Sequence, residues 1–157
     1  MVIVVMIIGL LSAITMPRVA SVQRQNHLRH AALTLAEHLR LARETAMARA
    51  TPITVLFTPA QSRYEAPQIE NPERPGQTLL VNLRESIDPS VTLTAEFNGV
   101  SSLEFGIDGL PRAAGQPVTT SSIIIADGRA AETVHLLHGW GTAHWQALDT
   151  GDSGETP

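Results

Sequence analysis

The chain is expected to fold as an α+β protein. One long N-terminal helix, apolar in its first half and amphipathic in its second, packs on an antiparallel β-sheet head of about seven short strands. Three observations lead there. The opening seventeen residues, MVIVVMIIGLLSAITMP, contain no charge. A helical period then persists to Ala50, where it gives way to a period of two. In the second half, Asn98-Gly99, Asp108-Gly109 and Asp127-Gly128 separate short apolar runs, as tight turns between strands do.

The opening run is apolar on every side, and no domain of this size buries a whole helix surface. It reaches about 24 Å, against an apolar bilayer core of about 30 Å. Alone it is slightly short for a membrane anchor, so either it serves another purpose or part of the anchor precedes Met1. It does not read as a cleaved secretory signal. No basic segment comes before it, and Arg18 stands where the cleavage site near Ala20 needs a small residue.

After Pro17 the pattern continues without a linker. Leu28, Ala32, Leu35, Leu39, Ala42 and Ala46 recur at spacings of three and four, one face of a helix. Arg24, Arg29, Glu37, Arg40, Arg43 and Glu44 fall largely elsewhere around it. The second half is Ala-rich and lacks sustained Leu heptads, which argues against a coiled-coil stalk. Thr51-Pro52 stops the helix, because proline removes a donor and disfavours helical geometry before it. A single helix over residues 2–50 reaches roughly 74 Å, and Pro17 is expected to bend it.

Four segments follow. Residues 1–17 are an apolar helix for a membrane or filament core, 18–50 an amphipathic helix entering the head, 51–148 a β-rich head, and 149–157 an acidic, disordered tail. In the head, ITVLF (53–57) is the first strand. Residues 58–78, with four prolines, read as an irregular loop with an edge strand near Tyr64. LLVNL (79–83) is the next strand. VTLTAEF (91–97) and VSSLEFGI (100–107) form a hairpin about Asn98-Gly99, with Val91, Leu93, Ala95 and Phe97 on one face and Leu103, Phe105 and Ile107 on the other strand's face. Residues 112–121 read as a polar loop, IIIA (123–126) as a strand buried on both sides, and TVHLLH (133–138) and AHWQAL (143–148) as the last two strands.

With 157 residues, the chain is one domain or a small domain with an appendage, and no cysteine is available for a disulfide or thiolate metal site. All eleven basic residues are Arg. Residues 1–52 hold six Arg against two Glu, a balance of +4, and residues 53–157 hold five Arg against thirteen acids, a balance of −8, which together give the net −4. An acidic body offers no general footprint for nucleic acid.

The segment VIVVMIIGLLSAITMP, followed by a long amphipathic helix and a β-rich head, resembles the type IV pilin and type II secretion pseudopilin superfamily. LRLARETAMARATPITVLF (39–57), SLEFGIDGLP (102–111) and IIIADGRAAETVHL (123–136) are similar to signatures of its GspH/FimT group of minor subunits. The resemblance implies a structural, non-enzymatic subunit: a minor pseudopilin of the GspH kind, at or near the tip of a periplasmic pseudopilus. It implies insertion in the inner membrane before assembly, with the head in the periplasm. Its partners would be other pseudopilins or pilins and a prepilin peptidase. The peptidase site, the methylated N-terminal residue and the Glu of the superfamily's cleavage segment are expected upstream of Met1. Val2, Ile3, Val4, Val5, Ile7, Ile8, Gly9, Leu10, Leu11, Ile14 and Pro17 would pack against lipid or neighbouring helices, with Gly9 permitting close approach. The alternative is a FimT-like minor pilin of type IV pilus assembly or DNA uptake.

No catalytic, cofactor-binding or metal residues are assigned. There is no nucleophile elbow, no paired carboxylates at an acid–base spacing and no phosphate-binding Gly-rich loop. His135, His138 and His144 are the one metal-like group, but residues three apart on a strand point to opposite faces, so they read as ordinary histidines. Trp140 and Trp145 read as one core cap and one partly exposed ring, with a partner-binding patch as the rival reading. DNA binding would need an Arg cluster on the head, where only Arg129 follows Gly128, and no small-molecule substrate is expected.

Overall fold

The structure, a computed structural model, describes residues 2–118, 120–137 and 144–148, with side-chain surroundings over residues 25–118 and 121–136. Helix α1 spans Val2–Arg49 and its helical assignment runs through Pro17. It ends as expected: Ala50 turns left-handed (φ 47°), Thr51 N–H returns to the Ala46 carbonyl, and Pro52 follows. Its covered face is Leu28, Ala31, Ala32, Leu35, Leu39, Ala42 and Ala46. Small residues toward its C-terminal end let the backbone lie close on the strands beneath.

The strands are β1 (Ile53–Thr58), β2 (Arg63–Glu70), β3 (Thr78–Asn82), β4 (Thr92–Ala95), β5 (Ser102–Phe105), β6 (Pro111–Ala113), β7 (Gln116–Pro117), β8 (Thr120–Ala126), β9 (Ala131–Leu137) and β10 (His144–Leu148), with a one-turn helix α2 (Leu83–Ser86) between β3 and β4. They form two antiparallel sheets. The larger runs β3-β2-β1-β5-β6-β7 and the smaller β10-β9-β8-β4. The α+β class holds, with ten described strands in two sheets where about seven were expected.

Three local expectations are overturned. The edge strand near Tyr64 is an eight-residue strand inside the larger sheet, paired with β1 on one side and β3 on the other. Pro67 misled the reading, because the pairing skips from Ala66 to Glu70 and the proline sits exposed in that irregularity. Leu83, expected in a strand, instead opens α2 with Asn82 as its cap, the Asn82 side chain accepting from Arg84 N. Residues 112–121, expected as a loop, contain the small β6–β7 hairpin, turned by Ala114 and Gly115 at φ 50° and 76°.

The Asn98-Gly99 hairpin is corrected more deeply. The turn exists: both residues have positive φ, and Phe97 and Val100 exchange backbone hydrogen bonds of 2.8 and 3.0 Å. Beyond that single bridge the two strands part. β4 pairs with β8 in the smaller sheet and β5 with β1 in the larger. Divergence lets Leu93, Ala95 and Phe97 face Leu103 and Phe105 across one core instead of leaving a hairpin face in water, and Phe97 lies 5.5 Å from Phe57, ring to ring. Ile107, expected on the buried face, is 59% exposed because the strand has ended at Phe105.

IIIA is also one-sided. Ile123 and Ile125 are fully buried, whereas Ile124 and Ala126 are half-buried on the opposite face. β8 joins β9 through a true hairpin. There Gly128 has φ 81°, and Asp127 Oδ1 accepts from the backbone N–H of Arg129 and Ala130. The tail 149–157 lies outside the described residues.

Candidate assembly surface

Helix α1 leaves three faces. Its centre is covered, and its two flanks differ in chemistry because successive residues turn by about 100°. On one flank His27, Thr34 and His38 line a groove with β2, β3 and α2, a cavity of about 400 Å³ that also includes Tyr64, Glu73 and Glu85. The Tyr64 hydroxyl and His38 Nδ1 are hydrogen-bonded at 2.8 Å. Burial lowers the pKa of His38 and pushes the Tyr64 phenol far above its ordinary range. Both are therefore held neutral around pH 7.

The other flank carries Arg29, Ala36, Arg40, Arg43 and Met47. Arg40 Nε donates to Glu44 Oε1 at 2.8 Å, an exposed pair one helical turn apart. Beneath the end of this flank lies the turn of the SLEFGIDGLP segment. Gly109 N–H returns to the Gly106 carbonyl at 2.8 Å, and Gly106 N–H to the Leu110 carbonyl at 3.1 Å. Gly109 has φ 72°, and a Cβ there would stand 2.7 Å from Met47 Sδ. At Gly106 a Cβ would strike the Arg112 guanidinium, which lies across it to grip Asp108 at 2.6 Å. The two glycines of this segment are thus explained by close packing of the turn against α1 and Arg112. Asp108 is held below the usual carboxylate range by the Leu110 N–H and then by Arg112.

On the smaller sheet, Glu132 is 2% exposed and shares the covered face of β9 with Val134. Its Oε2 has no hydrogen-bond partner. Burial raises its pKa, opposed by the charge of Arg29 on α1.

The comparisons agree with this architecture. The model of the GspH family, described as type II transport protein GspH, matches residues 31–140, from the covered face of α1 through the last-but-one strand. The chain belongs to the GspH family. No curated protein matches it. Among solved structures, the minor pseudopilin EpsH of the type 2 secretion system of Vibrio cholerae aligns with a TM-score of 0.53 and 14% identity over 80% of this chain and 99% of that one. The type IV minor pilin FimU of Pseudomonas aeruginosa aligns at 0.52 and 15%, over 78% and 89%. At such identities these two likenesses show a shared pilin-like fold.

Where, then, do the residues singled out from sequence fall in this GspH-family chain? Val2, Ile3, Val4, Val5, Ile7, Ile8, Gly9, Leu10, Leu11, Ile14 and Pro17 belong to the backbone of α1, and their side chains lie outside the described residues. Among the described residues, no helix is long and apolar enough to cross a membrane. His135 is half-buried on β9 with His144 as its backbone partner on β10, while His138 and Trp140 and the side chains of His144 and Trp145 lie outside the described residues. No metal-binding group of His, Asp or Glu occurs among the described residues. Sequence reasoning overlooked the histidine flank, although His27, Thr34 and His38 already shared a helical spacing. It also overlooked Glu132, an acid on an otherwise apolar strand face, which no spacing rule marks.

Proposed function

We propose that this chain is a minor pseudopilin of type II secretion, a structural subunit at or near the tip of a periplasmic pseudopilus. The observation that supports it best is the GspH-family match across residues 31–140, which spans the helix–head junction, the Gly106–Gly109 turn and both sheets. The EpsH likeness adds to it, since nearly all of that minor pseudopilin aligns. In this reading residues 1–17 insert in the inner membrane before assembly and in the filament core after it. Residues 18–50 continue the helix onto the 51–148 head, which contacts neighbouring subunits. An all-apolar helix is equally at home in lipid and among copies of itself, so transfer between the two is easy. The subunit acts by position and contact and carries out no reaction.

Deleting the gene is expected to abolish export of the folded substrates of the secretion system, and the intact chain to restore it. Ile7→Arg should not restore it, since a charge within an apolar helix costs about 2.5–3.5 kcal/mol, while the head stays folded by circular dichroism. Normal export in the deletion strain would refute the reading. The FimU likeness supports a second one, a type IV minor pilin, and DNA uptake would be the activity that sets it apart. Salt-sensitive binding of duplex DNA in a gel shift would favour it.

A further inference from the structure

We infer that the free edge of β3 takes up an extended segment of a different subunit of the same assembly, which joins the larger sheet as an added strand. The contact rests on the reading of the chain as a filament subunit and names a partner surface for it. β3 ends the larger sheet, and the groove with His27, Thr34 and His38 runs beside its open side. One bond fixes where its backbone groups point. Leu83 N–H reaches the Ser62 carbonyl at 3.0 Å, in register with the Arg63–Asn82 and Tyr64–Val81 pairs. Backbone groups alternate along a strand, so Leu79, Val81 and Leu83 address β2, whereas Leu80 and Asn82 address the groove. The Asn82 carbonyl accepts from Ser86 Oγ at 2.8 Å. That leaves the N–H and carbonyl of Leu80 and the N–H of Asn82 for an incoming strand.

Two of the other sheet edges are closed in ways that this one is not. β7 is two residues long and ends in Pro117, and β4 has the 3₁₀ turn Pro59–Gln61 packed against it. β3, with the sequence TLLVN, carries neither charge nor proline, the devices that keep an edge from pairing. Glu73 and Arg74 stand where the chain enters β3, and Glu85 where it leaves through α2, so the charges lie at the two ends of the groove. Between them β3 extends about 17 Å, which suits an uncharged run of about five residues. One side chain of that run covers Leu80, which is 46% exposed on the outer face of the sheet. Its neighbours turn inward over α1, into the cavity of about 400 Å³ lined by Ala31, Val81 and Ile87 together with Thr34, Asn71 and the Tyr64 hydroxyl.

Position points to a neighbouring subunit as the donor. His27 is ten residues beyond Pro17, roughly 15 Å along the helix. An apolar run packed among other helices therefore brings neighbouring heads against this flank of α1. A second copy cannot serve through its own β3. Two β3 edges pair antiparallel about a two-fold axis, and α1, which lies on the sheet, is reversed with them. Apolar runs rooted in one membrane are parallel. A single strand fills the edge, so the contact joins one donor and does not propagate, as suits a subunit at a tip.

The test uses the intact chain, tagged, produced with the other pseudopilins of its strain and purified from membranes in detergent. Hydrogen exchange, read residue by residue in a mass spectrometer, is compared for the chain alone and for the co-purified complex. The Leu80 and Asn82 amides should exchange quickly in the chain alone and slow about tenfold or more in the complex. Leu80→Pro removes an N–H that β2 does not use, a place where an edge strand tolerates proline. It should cut the recovered pseudopilin about tenfold with an unchanged melting temperature. Should that variant fail to fold, exchange in the unaltered chain decides alone. Four outcomes overturn the contact: no pseudopilin co-purifies, both amides exchange equally fast with and without one, both are already slow in the chain alone, or they slow only when an exported protein is added. A folded Leu80→Pro chain that recovers its partner normally overturns it as well. Export measured in the same strains keeps the two readings apart. Unprotected amides with export still dependent on the chain sink the strand contact and leave the proposed function standing; export independent of the chain sinks the proposed function.

Discussion

Against the larger sheet, α1 sets His38 beside Tyr64; against the smaller, it sets Arg29 near Glu132. Both contacts place a titratable group in or near the core, but one is completed and the other is not. The His38–Tyr64 pair shares a 2.8 Å hydrogen bond, and both rings are neutral, so burial carries little electrostatic cost. Glu132 keeps its Oε2 without a hydrogen-bond partner, and the charge of Arg29 opposes the rise that burial gives its pKa. The difference teaches that one helix can be fastened firmly at one sheet and less favourably at the other, even though its covered face is continuous.

The largest expected effect removes what the two contacts share. Leu35 is fully buried in the middle of the covered face of α1, and Leu35→Ala should lower unfolding free energy by about 2–5 kcal/mol in urea denaturation of the head. A loss confined to a few tenths would mean that the helix is not seated on the sheets as described.

Next comes the incomplete contact. Glu132→Met replaces a buried acid lacking one hydrogen bond by an apolar side chain of similar length, and should raise stability at pH 7 by about 1 kcal/mol. Its pH signature is distinctive. The folded pKa of Glu132 lies above the ordinary value of 4.5, so the folded state holds the proton more tightly than the unfolded chain. Stability from this group is greatest below 4.5, declines as pH rises through the raised folded value, and is flat beyond it. The methionine variant should lack that decline, and an unchanged slope between acid and neutral pH would show that Glu132 is not the titrating group.

Tyr64→Phe breaks the completed contact and is expected to cost about 1 kcal/mol, one part-buried hydrogen bond. Here the sign is reversed. Burial lowers the folded pKa of His38 below its ordinary 6.5, so its contribution is present above 6.5 and is lost as pH falls through the lowered folded value. Substituting His38 by Gln should remove this acid-side loss and leave the Glu132 decline in place. Smallest of all, Arg40→Ala deletes an exposed ion pair and should change stability by no more than about 0.5 kcal/mol, decreasing further in high salt.

The parts legible in the sequence were those governed by neighbours along the chain. The helical spacing from Leu28 to Ala46, the stop at Thr51-Pro52 and the turn residues Asn98-Gly99 and Asp127-Gly128 all appear as read, because helix periodicity, proline sterics and positive φ act over a few residues. The inward alternation of Val91, Leu93, Ala95 and Phe97 was legible for the same reason. The GspH signature at 102–111 was legible as a pattern too, and packing then supplied its cause in Met47 and Arg112.

Partner choice was not legible. Asn98-Gly99 reverses the chain whichever sheet each strand joins, and only the need to cover Phe97, Leu103 and Phe105 together sends β4 and β5 to different sheets. Pro67 argued locally against a strand that two neighbours nevertheless hold in place through a break in register. The histidine groove required α2 and the 71–74 segment to close over one flank of α1 from up to about sixty residues away. By itself, then, the sequence determined which residues turn, which repeat and which face inward, since those are short-range properties of backbone and side chain. Tertiary structure decided which strands pair, which acid is buried with one oxygen unbonded and what the two flanks of α1 present, because burial is a property of the whole chain and of no single stretch of it.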